Sequence, residues 1–419
     1  VRSIHTAEIL AAGSELLTPH RIDTNSLHLT AQLNELGIEV RAKAVIGDDR
    51  SDLKDWLDGA LRRVDLVVTT GGLGPTDDDL TREAAAEALG LPLEENAEVL
   101  RAIEERFARR KMKMPSINRR QARVPRGAVW LPNPNGTAPG LWIEHGERVL
   151  VLLPGPPREM QAMFEASVVP RLAGRTAARR LRRRVIKTTG WPESQVDEVA
   201  APIYGTWLDA PVPIQTTILA SPGQIELHLS AAGEDVAAID GALDAAVGMI
   251  RRALGAIVFS VDGRSLEDVV GDALRERAAR ISVAESCTGG LLLGRLTSVP
   301  GSSAWVTGGV VAYDNAVKLA ELNVPEELLA AHGAVSEPVA VAMAEGVRAR
   351  LATEIGVGVT GIAGPSGGTP AKPVGTVVVA VAGQSSKVRT FTFPGDRQMV
   401  RAQAAQAALN MVRRALEES

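Results

Sequence analysis

Val67-Val-Thr-Thr-Gly-Gly-Leu-Gly-Pro-Thr-Asp-Asp-Asp-Leu-Thr-Arg-Glu83 reads as a strand, a glycine turn and the start of a helix. The strand is the end of an apolar run over Val64–Thr70, short and β-branched as a buried strand is. Gly71, Gly72 and Gly74 permit positive φ and close backbone approach, and Pro75 sets the exit. The helix that follows offers unpaired N–H groups to an anion such as a phosphate. This is not a Walker A loop, since no Gly-Lys-Ser/Thr follows, and it is not GxGxxG. Asp77, Asp78 and Asp79 change the argument. One aspartate suffices to cap a helix and complement its dipole. Three carboxylates beside a phosphate repel it unless a divalent ion bridges them, so the triplet favours a metal.

The same alternation extends outward. Apolar runs at Ala7–Ala12 and Val149–Leu153 flank segments of helical periodicity at 23–36 and 51–64. That order predicts βαβ units over a largely parallel sheet, an α/β fold. Two more polar turns follow predicted strands and face the same crevice at the strand ends. One is Gly13-Ser-Glu-Leu-Leu with Asp23-Thr-Asn; the other comprises Asn133–Gly140 and Pro154–Met160. The pattern breaks near Pro170. The basic run with Arg179, Arg180, Arg182, Arg183 and Arg184 reads as a solvated linker leading into a strand.

A smaller βαββα unit follows: strand 185–189, helix 193–204, strands 213–219 and 224–230, helix 236–254. It has no GxxG loop to clamp a nucleic-acid backbone, and Trp191, Tyr204 and Trp207 lie off its strands. A structural or dimerising module is the simpler reading. Strands are predicted again at 281–284, 306–313, 355–360, 376–382 and 387–393, before an alanine-rich helix from Gly395.

Composition limits the partners. The 419 residues suggest about three domains. A net charge of −4 argues against a general nucleic-acid binder, and one cysteine, Cys287, excludes an intramolecular disulfide or a CxxC metal site. No run approaches a membrane span and no signal-peptide core is evident, so a cytoplasmic location is expected.

The second chemical cluster runs from Ala284 to Lys318: Ala-Glu-Ser-Cys-Thr-Gly-Gly, then Pro300-Gly-Ser-Ser, then Tyr313-Asp-Asn-Ala-Val-Lys. It contains hydroxyls, a tyrosine and a lysine, without a histidine. A lysine activates a serine only if its pKa falls well below the ordinary value of about 10.4. Spacing alone favours the plainer reading, in which Tyr313 ends a strand and Lys318 is a solvated helix lysine. Cys287, with no histidine near it in sequence, reads as a small buried thiol.

These motifs resemble the CinA family (competence/damage-inducible protein A). Thr70-Gly-Gly-Leu-Gly-Pro-Thr with Asp78 and Asp79, Asn135-Gly-Thr-Ala-Pro-Gly and Leu153-Pro-Gly-Pro-Pro look like its molybdopterin-binding-like domain. Ala284–Gly290, Pro300–Ser303, Tyr313 with Lys318, and Thr360-Gly-Ile-Ala-Gly-Pro look like its nicotinamide mononucleotide (NMN) deamidase domain. The resemblance implies two three-layer α/β domains, at 1–172 and 262–419, with a KH-like α+β domain at 180–256 between them. It implies hydrolysis of NMN to nicotinic acid mononucleotide and ammonia without a cofactor. Ser303 is then the nucleophile, Lys318 the base, and Tyr313 completes the set. Ser286, Thr288 and Gly289, with Thr360, Gly361, Ala363, Gly364 and Pro365, would hold NMN. It further implies cleavage of ADP-ribose to AMP and ribose 5-phosphate with a divalent metal (Mg²⁺, Co²⁺ or similar), helped by K⁺. Asp78 and Asp79 would bind that metal. Glu15 and Asn25 would bind ADP-ribose, as would the loop Gly71, Gly72, Gly74, Pro75 and Thr76, then Asn135, Gly136 and Thr137, with Pro154 and Gly155. A homodimer is expected, without membrane or nucleic-acid partners. Two alternatives from other classes are a pterin-handling protein and a non-enzymatic competence or recombination adaptor.

Overall fold

The computed structural model describes residues 3–176, 180–384 and 386–418. Its chain divides into two compact units, Val1–Arg182 with Ala232–Asp240, and Arg183–Ala231 with Gly241–Ser419.

In the first unit the strands are β1 (Thr6–Ala12), β2 (Glu39–Ile46), β3 (Leu66–Thr70), β4 (Leu93–Glu95), β5 (Arg123–Pro125), β6 (Val129–Leu131), β7 (Gly140–His145) and β8 (Arg148–Leu153). Six of them form one sheet in the order β2-β1-β3-β8-β7-β6, and β4 pairs with β5. Neighbouring residues on the central strands point to opposite faces. Leu10, Val67 and Leu150 pack on one side with Leu53, Leu57 and Ala85. Ile9, Val68 and Val151 pack on the other with Leu29, Leu33 and Phe164. Both faces are covered by helices, which is why these strands read as unbroken apolar runs. The result is a three-layer α/β domain.

The sheet is mixed but largely parallel, as expected, with a single reversed strand. Strands β2, β1, β3 and β8 are parallel, while β7 runs antiparallel to β8 and β6 antiparallel to β7, which leaves β7 alone reversed. The cause is local: β7 and β8 are joined by Gly146 and Glu147 alone, with Gly146 at φ 58°. A two-residue turn can only return the chain beside itself.

The second unit begins with a four-stranded sheet, β10-β11-β9-β12, built from β9 (Arg180–Thr189), β10 (Gln215–Ser221), β11 (Gln224–Gly233) and β12 (Val258–Ser260). Helices Glu193–Tyr204 and Val236–Leu254 accompany it, a small α+β arrangement. The basic run is not a linker: Arg180, Arg182, Arg183 and Arg184 lie in β9, and Arg184 pairs with Asp244 at 2.8 Å. Arg179 lies outside the described residues.

The unit ends in a five-stranded sheet, β14-β13-β15-β16-β17, from β13 (Ile281–Glu285), β14 (Val306–Val311), β15 (Ile355–Gly361), β16 (Thr376–Ala382) and β17 (Lys387–Thr392). Here too the sheet is mixed, with β14, β13 and β15 parallel and β16 and β17 added as antiparallel neighbours in turn. Val283, Val357 and Val379 face helices Leu266–Glu276 and Arg397–Glu417. Ala380 and Val378 face helix Glu337–Leu351. Again the layers number three.

In both large sheets the chain leaves one strand to one side and later returns to its other side. The reversal falls between β1 and β3 in the first, and between β13 and β15 in the second. Crevices at the carboxyl ends of strands open at such points.

Candidate functional site

The crevice between β13 and β15 holds a pocket of about 220 Å³. Ser286 enters it directly from the end of β13, Tyr313 from the segment after β14, and Thr360 and Gly361 from the end of β15. Ser286 is pinned by its backbone, its N–H donating to the Val359 carbonyl at 2.8 Å. Its carbonyl accepts from the Gly289 N–H at 3.2 Å, closing a tight turn. Among the described residues its hydroxyl has no hydrogen-bond partner. Gly361 is required where the two strand ends meet: a Cβ there would lie 3.0 Å from Cys287 Sγ and 2.8 Å from the Thr376 carbonyl oxygen.

Lys318 lines the same pocket and is 1% exposed. The reading of it as a solvated helix lysine is therefore wrong. Its helix, Asn315–Leu322, is capped by Asp314, whose carboxylate accepts from the Ala316 N–H. The cap turns the first helical turn inward, and Nζ donates to the Tyr313 carbonyl at 3.3 Å. Burial pushes the Lys318 pKa below its ordinary value, against an opposing pull from Asp314 and Cys287. Cys287 is buried, and burial pushes its thiol up to about 12, which leaves no useful thiolate at neutral pH. Tyr313 is 60% exposed, and its hydroxyl accepts from Arg397 Nη2 at 2.8 Å. Arg397 also donates to the Gly364 carbonyl at 2.9 Å.

Ser303 is absent from this lining. It lies in a short 3-10 turn before β14, whereas Tyr313 and Lys318 follow that strand. Six residues of strand place it roughly 20 Å from them, at the opposite end of the same strand. The expected Ser303–Lys318 pairing is thus not formed within the chain, and Ser286 is the serine that shares the pocket with Lys318. Ser286, Thr360, Gly361 and Ala363 line the pocket; Thr288, Gly289, Gly364 and Pro365 do not. Thr288 is fully buried, its hydroxyl without a partner and its carbonyl accepting from Arg401. Arg397 was missed by sequence reasoning. It follows β17, which runs parallel to β15, so its strand end opens on the same side.

The crevice between β1 and β3 opens into a larger pocket of about 630 Å³. Gly71, at φ 103°, makes it possible, since a Cβ would fall 2.1 Å from the Ala12 carbonyl oxygen. The lining includes Glu15, Asn25, Gly71, Gly72, Gly74 and Pro75. Asp78, Asp79, Thr137, Pro154 and Gly155 line it too, with Asp23, Asp48, Gln121 and Glu159. Thr76, Asn135 and Gly136 are not in the lining. Asn25 binds the crevice together, donating from Nδ2 to Thr70 Oγ1 at 2.8 Å and to the Gly155 carbonyl at 2.7 Å. Its Oδ1 is buried without a partner among the described residues. Asp48 lies two residues past the end of β2, a strand-end position that the sequence reading passed over.

The three aspartates divide their work. Asp79 accepts from the backbone N–H groups of Gly74 and Thr76, at 2.8 and 2.9 Å, and from the Thr76 hydroxyl. It therefore folds the glycine loop. Asp77 is exposed and reaches Arg120 at 3.3 Å. Asp78 lines the pocket. Among the described residues no three His, Cys, Asp or Glu side chains gather in a way that could hold a metal. The donor set does not form a dedicated cage, but it fits an ion held by one or two carboxylates plus substrate oxygens.

Residues 8–174 match the probable molybdopterin binding domain family, 183–260 the damage-inducible protein CinA KH domain, and 263–416 the CinA C-terminal domain. The chain is 47% identical over 415 residues to a CinA-like protein of Koribacter versatilis, covering 98% of this chain and 99% of that one. It is 45% identical over 423 residues to a protein of Symbiobacterium thermophilum named as competence-damage inducible, covering 98% of each. A solved structure of the protein CinA from Thermoplasma acidophilum, of unknown function, is 32% identical. It covers 40% of this chain and 98% of its own, with a TM-score of 0.38.

Proposed function

Because the chain belongs to the CinA family of competence/damage-inducible proteins, we propose that it is a two-site hydrolase of pyridine-nucleotide metabolites. Its β13/β15 pocket deamidates NMN with Ser286 as nucleophile. The observation that carries this reading is the buried Lys318, which shares one pocket with Ser286 and Tyr313. A lysine kept from water is a neutral amine over more of the pH range, and a neutral amine can accept a serine proton. The pyridinium ring of NMN is cationic, so a neutral base also avoids repelling the substrate.

Ser286 Oγ attacks the carboxamide carbon while its proton passes to Lys318 Nζ. The tetrahedral oxyanion is met by backbone N–H groups of the turn after Ser286. Collapse expels ammonia, with Lys318 returning the proton to the leaving nitrogen. Water then attacks the acyl-Ser286 carbon, gives its proton through Lys318 to Ser286 Oγ, and releases nicotinic acid mononucleotide. Tyr313, held by Arg397, positions the ring or relays the proton at the pocket mouth.

For the β1/β3 pocket the proposal is hydrolysis of ADP-ribose to AMP and ribose 5-phosphate. A divalent ion, when bound, neutralises charge on the pyrophosphate, and Asp78 would hold it together with substrate oxygens. The chain's own part is to keep the loop and crevice in shape through Asp79, Asn25 and Gly71.

Ammonia release from NMN tests the first site. Ser286→Ala should abolish it, while Ser303→Ala should retain it, with AMP formation from ADP-ribose intact in both. Loss of deamidation in Ser303→Ala alone would return the nucleophile to Ser303. A wild-type chain that releases no ammonia from NMN would end the reading.

A further inference from the structure

A third cavity, of about 360 Å³, lies away from both crevices, where the end of β9 meets the start of β17 and the last turns of helix Arg397–Glu417. Its lining contains four cations, Lys387, Arg389, Arg413 and Arg414, against one carboxylate, Glu418. Counting Glu417, which pairs with Arg413 and Arg414, still leaves four cations to two carboxylates. Such an excess in a concave site, in a chain of net charge −4, is a local field for an anion.

The groups are arranged as well as charged. Arg413 is 4% exposed and fully engaged: Nε and Nη2 donate to Asn410 Oδ1 at 3.2 and 2.8 Å, Nη2 also to the Ala256 carbonyl, and Nη1 to Glu417. These donors fix the orientation of the Asn410 amide and leave its Nδ2, on the cavity wall, without an acceptor among the described residues. Arg389 is exposed, its guanidinium 4.9 Å over the Phe391 ring, and no carboxylate among the described residues pairs with it. Lys387 and Arg414 hold only the exposed carboxylates at the helix end, and exposed ion pairs hold weakly. Trp191 lines the same cavity, and an indole is a stacking surface suited to a planar ring. Gly190 beside it carries no side chain to fill the space, the nearest atom to a built Cβ being Asn410 Nδ2 at 3.9 Å.

We propose that this cavity is a binding site for a small nucleoside phosphate, whose base stacks on Trp191 and whose phosphate takes Arg389, Arg414 and the Asn410 amide. The volume lies within the ordinary range of about 300–1,000 Å³ for a small-molecule site. Guanidinium pairs suit a phosphate because two parallel N–H groups match two of its oxygens. The proposal is independent of the chemistry assigned to the two crevices.

The test is an indole ¹⁵N–¹H titration of the full chain with AMP, the Trp191 signal being assigned by its loss in Trp191→Phe. AMP should shift that signal saturably. The double variant Arg389→Ala/Arg414→Ala should weaken the titration by roughly tenfold or more, the cost of losing charge-assisted hydrogen bonds. The other tryptophan signals should stay in place and report an intact fold. Arg413 is left unchanged because it is buried. Adenosine should bind more weakly than AMP by a similar factor. The proposal is overturned if AMP leaves Trp191 unmoved, or if the arginine variant titrates like wild type. It is also overturned if inorganic phosphate competes as well as AMP does, or if a single-stranded oligonucleotide binds far more tightly than AMP.

Discussion

The two crevices are built alike and charged in opposite ways. Each opens at the reversal point of a mixed sheet, and each needs a glycine where two strand ends come close, Gly71 in one and Gly361 in the other. The β13/β15 pocket is lined by two cations, Arg397 and Lys318, and takes the second inside, burying it. The β1/β3 pocket carries its carboxylates on the lining of a space nearly three times larger, at 630 against 220 Å³. A buried ionisable group changes its proton affinity, so the smaller site can make a base from its own lysine. A lining rich in carboxylates repels an anion, so the proposed pyrophosphate chemistry of the larger site would need a cation added from solution. The two proposed chemistries on one kind of scaffold are thus divided by where the charge is kept.

Replacing the buried charge should break the comparison most severely. Lys318→Met should lower kcat/KM for NMN by roughly 10²–10⁴, the usual contribution of a general base. Lys318→Arg should fare no better, because a guanidinium stays protonated. In the wild type the rate should rise with pH through an apparent pKa below that of free lysine, since only the neutral amine accepts the proton. A Lys318→Arg enzyme with full activity and an unaltered pH profile would remove the lysine from the mechanism.

The aspartates of the larger pocket should separate by readout. Asp78→Ala should reduce metal-dependent ADP-ribose cleavage by roughly 10–100-fold with little change in melting temperature, and EDTA should suppress that activity while sparing deamidation. Asp79→Ala leaves the Gly74 and Thr76 N–H groups without their acceptor and should cost about 1–3 kcal/mol in stability, read by denaturant titration. Equal effects of the two variants on stability would contradict the division of work between them.

The smallest effect concerns stability. The folded-state pKa of Lys318 lies below its unfolded value, so between the two the unfolded chain binds more protons and stability rises with pH. Lys318→Met removes that slope. Near pH 7 its melting temperature should match or exceed that of wild type by roughly 1–4 °C, with the gap closing toward pH 10. A lower melting temperature at pH 7 would mean that the Tyr313 carbonyl contact outweighs the cost of burial.

Much of the fold was legible from local pattern. Strand 376–382 and helices 193–204 and 236–254 coincide with their expected bounds, because apolar period and β-branched content act over a few residues. The glycine loop at 71–76 and the strand-end turns at Gly13 and Pro154 were legible for the same reason, since tight turns name their residues. The pairing sense of β7 and β16 was not, since an apolar run is equally suited to either direction. Nor was Ser286 over Ser303. Both sit in polar, glycine-containing turns of similar composition, and sequence distance to Lys318 even favours Ser303. What separates them is which end of a strand each occupies, and that is decided only when β13 and β14 are laid parallel in one sheet. The burial of Lys318 has the same origin. A lysine after Tyr-Asp-Asn-Ala-Val is written like any solvated helix lysine, and the loss of water that changes its proton affinity comes from the neighbouring elements packed around it. The chain's own order thus determined its layers, turns and chemical inventory, whereas only the tertiary structure brought Ser286 rather than Ser303 beside Lys318 and buried that lysine, because desolvation and strand direction are properties of neighbours distant in sequence.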